Sequence, residues 1–196
     1  MKLLFSPTSP FSSKVRMAAR HLDIPLEEIR VDTVAAPPIL VVSNPLGKIP
    51  TLICEDGIAV FDSRAIMQHF GRMEGKKLYP SKSEKRTRVE VLEALSDGIC
   101  DCLLSIVYER RFRPEDKLYQ PWIDRQWEKV TRALDHVVLP KIGAKLHGSH
   151  FALAAMIGYL QLRFAGQWEE RHADLTDWIA RFEKSFPDFA ALKPQG

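Results

Sequence analysis

After residue 80 the apolar residues of this chain fall into step at three- and four-residue intervals; before it they come in short runs broken by proline and glycine. Val89, Leu92, Leu95, Ile99, Leu103, Ile106 and Phe112 form one apolar stripe along a single long helix. Segment 122–138 repeats the pattern up to Pro140, and 151–164 is apolar on nearly every side, as a helix enclosed by other helices would be. Segments 175–182 and 186–192 complete an all-helical second half. Trp168 and Trp178 are expected in its core.

The first half obeys other rules. Residues 2–5 read as a strand, and Ser9-Pro10 opens a helix to about residue 22, with a hydroxyl at the N-cap and proline at the first helical position. Residues 27–31 form a second strand. The stretch up to Asn44 is read as a short helix, against the preference of its β-branched residues. Strands 51–54 and 58–61 flank Glu55-Asp56-Gly57, where Asp-Gly supplies a tight turn. Asp62-Ser63 caps a helix over 63–70. The order βαβαββα describes a small mixed sheet with helices on it. Gly71 to Lys82 is polar and broken, which gives a first domain over 1–75, a linker over 76–83 and a helical domain over 84–196.

With 28 Lys+Arg against 25 Asp+Glu among 196 residues, the signs are interspersed and the net charge is +3. No face is built to neutralise phosphates, so nucleic acid and anionic membrane are poor partners. Three cysteines point to a reducing compartment rather than a disulfide scaffold. The opening apolar run is too short for a signal peptide and no stretch reaches the length of a membrane span, so the chain reads as cytoplasmic. Cys100 and Cys102, two apart on a helix, point their thiols away from each other. Among the six histidines only His147 and His150 have a spacing worth weighing, and no metal site is expected. Lys14, Arg16 and Arg20 read as a solvated helix face that could steer an anion.

Three segments carry candidate chemistry. A helix N-terminus favours an anion, and the Ser9 hydroxyl can donate a hydrogen bond to a thiolate there; the alternative is an ordinary cap. In Asn44-Pro45-Leu46-Gly47-Lys48-Ile49-Pro50-Thr51, a cis Pro50 would turn the Ile49 N–H and C=O outward to an extended peptide; the alternative is a trans proline in a loop. Asp62 and Ser63, with free amides of a helix start, can grip an amino acid's ammonium and carboxylate together, or simply cap the helix.

Together these segments strongly resemble the glutathione S-transferase family, and most of all its bacterial serine-type branch. The resemblance rests on Ser6-Pro7-Thr8-Ser9-Pro10-Phe11-Ser12-Ser13-Lys14-Val15-Arg16, Asn44 to Pro50, and Phe61-Asp62-Ser63-Arg64-Ala65-Ile66. It continues in Ser96-Asp97-Gly98-Ile99, Tyr108-Glu109-Arg110-Arg111, Gly158 to Phe164, and Trp178 to Phe182 before Ser185-Phe186-Pro187.

It implies a thioredoxin-like domain followed by a helical bundle, in a homodimer acting in detoxification. Ser9 would hold and activate the glutathione sulfur, Ile49 before cis Pro50 would pair with the cysteinyl part, Asp62 and Ser63 would bind the γ-glutamyl end, and Lys48 would approach the glycyl carboxylate. Asp97 would reach across the dimer interface toward the γ-glutamyl ammonium. Glutathione is thus the implied co-substrate, with no metal, and a small hydrophobic electrophile the second substrate.

The sequence departs from the pattern in two places. Where some relatives have Glu-Ser it has Asp62-Ser63, a carboxylate on a shorter arm. At the start of the buried helix the family places a hydroxyl residue three positions before an aspartate, a capping box. Here His147-Gly148-Ser149-His150-Phe151 lacks that aspartate, and Ser149 is expected to cap one register later. A lost cap costs about 0.5–2 kcal/mol.

Other activities remain on the same fold. A disulfide reductase would want cysteine where Ser9 and Ser12 stand, since serine cannot form a mixed disulfide. A glutathione-dependent isomerase or dehalogenase would differ only in the second substrate. A non-catalytic binding or regulatory module, as in the stringent starvation protein A group, would share the fold without needing the glutathione set.

Overall fold

The structure, a computed structural model, describes residues 1–74 and 78–196. Its first part runs β1 (Lys2–Phe5), α1 (Pro10–His21), β2 (Glu27–Arg30), α2 (Pro38–Ser43), β3 (Thr51–Ile53), β4 (Ala59–Val60) and α3 (Ser63–Met73). The four strands form one mixed sheet in the order β2-β1-β3-β4, with β1 parallel to β2 and antiparallel to β3. The turn between β3 and β4 uses Gly57 at φ +84°, a left-handed conformation that glycine adopts without steric cost. The expected linker begins outside the described residues, at positions 76 and 77, and position 75 lies outside them too.

The second part is helical: α4 (Ser83–Phe112), a 3-10 turn (Glu115–Lys117), α5 (Gln120–Leu134), α6 (Gly148–Arg163), α7 (Ala173–Ser185) and α8 (Phe189–Leu192). This is the thioredoxin-like domain followed by helices that the family resemblance implies. The first turns of α4, residues 83–88, carry no apolar residue before Val89. They are held instead by charge pairs one turn apart, Arg88–Glu84 at 2.6 Å and Arg86–Glu90 at 2.7 Å.

Every residue of α6 from Gly148 to Leu160 is buried, and the helix packs on α4 on one side and α1 on the other. One apolar cluster therefore runs from the sheet (Leu3, Leu52) through α1 and α3 (Met17, Phe70) into the bundle (Leu103, Phe151, Phe182). Trp168 and Trp178 belong to it. The two parts share a core, which fixes the angle between sheet and bundle and hence the cleft between them.

The start of α6 solves its missing cap in an unexpected way. Ser149 is buried inside the helix and does not cap it. The N-cap is His147, whose backbone N–H donates to His150 Nδ1 at 3.0 Å. His150 thus takes the part that an acidic residue plays in a capping box. Its Nδ1 must be the unprotonated nitrogen, so Nε2 carries the hydrogen and donates to the Lys141 carbonyl at 3.2 Å.

Candidate active site

Ser9 ends the loop after β1 with extended backbone (φ −82°, ψ 121°) and caps α1, its Oγ accepting from the Ser12 N–H at 3.2 Å. The cap uses a lone pair of the hydroxyl, not its proton. Among the described residues that proton has no acceptor, so Ser9 can cap the helix and donate to a ligand at once. The two readings of this serine are compatible.

The segment that presents Ile49 is clamped from beneath. Asn44, 1% exposed, donates through Nδ2 to the Lys48 carbonyl at 2.9 Å and to Thr51 Oγ1 at 3.2 Å, while its Oδ1 accepts from the Leu46 N–H at 3.0 Å. Thr51 Oγ1 donates to the same Lys48 carbonyl at 2.9 Å. The Ile49 side chain packs beside Leu4, Val31 and Leu40. The Ile49–Pro50 bond is cis. Among the described residues neither the N–H nor the C=O of Ile49 has a hydrogen-bond partner, so both are free to pair with an extended peptide.

Asp62 caps α3, its Oδ1 accepting from the Arg64 N–H at 3.0 Å. Ser63 is 2% exposed, and its hydroxyl has no partner among the described residues. Ser9, Lys48, Ile49, Pro50, Asp62 and Ser63 all line one cleft of about 1090 Å³ between the sheet edge and the bundle. The structure brings six of the seven expected site residues together.

Asp97 is the exception: it does not line the cleft. Its side chain is 4% exposed, and it is committed within its own chain: Lys14 Nζ lies 2.8 Å from both carboxylate oxygens, and Arg64 Nε donates to Oδ2 at 3.1 Å. The helix-face reading of Lys14 is corrected at the same point. Lys14 is 1% exposed and also donates to Glu93 Oε1 at 3.2 Å, while Glu93 Oε2 accepts from Tyr79 O–H at 2.7 Å. Two carboxylates one turn apart on α4 make burial of the ammonium tolerable. Gly148 keeps this cluster closed, since a Cβ there would sit 2.9 Å from Glu93 Oε2. Arg16 pairs with Glu28 at 2.8 Å and Arg20 with Asp188 at 3.1 Å.

Arg64 carries the buried network into the cleft. Burial pulls its guanidinium down, but the charges of Asp97 and Asp62 outweigh burial and raise it further. Asp101, 3.5 Å from the Arg64 guanidinium, is pushed up by burial, against the pull of Arg64.

The bundle supplies a wall that sequence reasoning misses: Asp101, Leu104, Tyr108 and Arg111 from α4, and Tyr159 and Arg163 from α6. The signal is present in the chain. Positions 101, 104, 108 and 111 recur with the helical period on a face separate from the apolar stripe, and 159 and 163 are one turn apart. Among the described residues no group of three or more His, Cys, Asp or Glu could hold a metal ion, and no helix is long and apolar enough to cross a membrane.

Residues 8–73 match the family described as glutathione S-transferase, N-terminal domain. Over 169 residues, 83% of each chain, the sequence is 33% identical to an Escherichia coli K12 protein described as the uncharacterized GST-like protein YibF. A glutathione S-transferase from Methylobacterium radiotolerans, in complex with glutathione sulfonate, is similar with a TM-score of 0.91 at 28% identity, covering 100% of this chain and 95% of that one. A glutathione S-transferase from Methylobacillus flagellatus with glutathione bound is similar with a TM-score of 0.87 at 32% identity, over 99% of both chains.

Proposed function

The chain belongs to the glutathione S-transferase family, and on that premise we propose that it is a glutathione transferase of the serine type. It ionises the thiol of bound glutathione beside Ser9 and directs the sulfur at a small electrophile. The observation that carries this reading is the Ser9 hydroxyl, which keeps its proton available at the mouth of the cleft while its lone pair caps α1.

Ile49 offers its N–H and C=O to the cysteinyl residue, Asp62 and Ser63 receive the γ-glutamyl ammonium and carboxylate, and Lys48 meets the glycyl carboxylate. A thiol of pKa ~8.5 is only about 3% ionised at pH 7, whereas a pKa of ~6.5 makes it roughly three-quarters ionised. The gain is partly offset because a less basic thiolate is a weaker nucleophile. Holding the electrophile beside the sulfur supplies further acceleration. In a displacement the thiol proton passes to solvent, the sulfur forms a bond to carbon, and the leaving group departs with its bonding pair.

In this reading residues 1–75 bind glutathione, 76–83 link, and 84–196 carry the second-substrate wall and the dimer contacts. The protein is a cytoplasmic homodimer that acts in detoxification. Sedimentation is expected to give a particle of twice the 22.4 kDa chain; a single-chain particle contradicts the dimer. The function is tested by retention on immobilised glutathione together with turnover of an aryl halide. Retention with turnover above the uncatalysed rate supports it, and retention without turnover favours a non-catalytic binding module.

A further inference from the structure

Glutathione recognition leaves Tyr159, Arg163 and Arg111 on the helical wall unused. Tyr159 is 2% exposed, yet it lines the cleft, and among the described residues its hydroxyl has no hydrogen-bond partner. The phenol body is packed in the core while its unpartnered O–H opens on the cleft, where a ligand's acceptor can meet it. Burial pushes it up to about 12, against the opposing charges of Arg163 and Arg111, so it stays a donor at neutral pH.

Arg163 lies one turn beyond Tyr159 on α6, on the same face. Arg111 reaches the cleft from α4, its guanidinium 5.9 Å from the centre of the Tyr108 ring. Both guanidinium charges act on the Tyr159 phenol. Among the described residues neither arginine has a carboxylate within ion-pair distance. Asp101, the acid on this wall, is engaged by Arg64 at 3.5 Å.

A wall meant only for apolar electrophiles needs neither a buried donor nor two unneutralised guanidinium groups. A phenol O–H and two planar forks of N–H donors lining one cleft are instead the groups that grip a planar oxyanion. We propose that the second substrate carries a carboxylate, held by Tyr159, Arg163 and Arg111 while the glutathione sulfur attacks the electrophilic carbon. The inference rests on the glutathione reading of the same cleft. With a haloalkanoate the sulfur–carbon bond forms as the carbon–halogen bond breaks, halide leaves with the bonding pair, and the carboxylate emerges unchanged on the thioether.

The test compares two ligands that differ in that group, S-(2-carboxyethyl)glutathione and S-propylglutathione, by titration calorimetry. The wild-type protein is expected to bind the carboxylate ligand at least tenfold more tightly. The ratio should fall to within twofold of unity in Arg111→Gln/Arg163→Gln and drop at least threefold in Tyr159→Phe. Turnover of 3-bromopropanoate against 1-bromopropane, each divided by its rate with free glutathione, is expected to show the same preference. Equal affinity of the two ligands for the wild-type protein overturns the carboxylate wall and leaves the glutathione site standing. If neither ligand binds, the glutathione reading fails and the inference with it.

Discussion

Lys14 Nζ stands 2.8 Å from both carboxylate oxygens of Asp97, and the pair ties the helix that begins beside Ser9 to the long helix of the bundle. Through Asp97 Oδ2 the same carboxylate holds Arg64, two residues beyond the Asp62 cap. One buried carboxylate thereby connects both edges of the half of the cleft lined by Ser9 and Asp62 to the helical wall.

Replacing Lys14 with Met leaves Glu93 and Asp97 buried without the ammonium between them. Breaking a buried pair from one side costs about 3–5 kcal/mol. Urea unfolding is expected to show a loss of that order for Lys14→Met, with Arg20→Met, a surface pair, losing no more than about 1 kcal/mol. Equal losses for the two would contradict the network.

Ser9 has two roles that substitution can separate. Ser9→Ala removes both the cap and the hydroxyl and is expected to cost about 0.5–2 kcal/mol of stability, whereas Ser9→Gly costs only a few tenths. Both should lose more than tenfold in the rate of glutathione transfer while glutathione still binds. Activity that follows stability instead, with Ser9→Gly close to wild type, would reduce Ser9 to a cap.

Asp62→Asn keeps a good N-cap, since Asn and Asp rank alike there, and removes the charge. Stability should change by less than about 0.5 kcal/mol. Glutathione affinity should drop by tenfold or more, because the γ-glutamyl ammonium loses its counter-charge. Calorimetry showing unchanged affinity would move ammonium recognition elsewhere.

The cap at the start of α6 makes acid stability depend on His150. Burial holds its imidazole below the ordinary histidine range, and accepting the His147 N–H requires an unprotonated Nδ1. The unfolded chain therefore takes up a proton near pH ~6.5 that the folded one refuses. Its contribution is complete above that pH and is lost as pH falls through it, at up to about 1.4 kcal/mol per pH unit. His150→Gln keeps an acceptor at the same capping position and does not titrate. The difference in unfolding free energy between wild type and variant should therefore change with pH below ~6.5 and be flat above it. A pH-independent difference would refute the assignment.

Local chemistry makes much of this fold legible. Ser9-Pro10 and Asp62-Ser63 announce helix starts because caps are read from adjacent residues, and Gly57 announces its turn because only its own φ is at stake. Lys14 misleads because what neutralises it stands 79 and 83 positions away, and no local pattern reveals a charge pair that forms only when the folded core brings α1 and α4 together. The apolar stripe begins only at Val89, six residues into α4, because charge pairs rather than apolar residues hold residues 83–88. His150 escapes notice as a cap because imidazole plays that part only when burial keeps it neutral. The half of the cleft lined by Ser9, Ile49 and Asp62 lies within short segments, so its residues can be named from the chain alone. The helical wall, assembled from two separate helices, cannot be.

The protonation of one sulfur decides the mechanism, and the direct measurement is the ultraviolet absorbance of the glutathione thiolate bound to the protein, followed with pH. A serine-activated thiol predicts a bound-thiol pKa at least one unit below that of free glutathione, moving back toward the free value in Ser9→Gly. A bound thiol that ionises where free glutathione does, in wild type and variant alike, would contradict it.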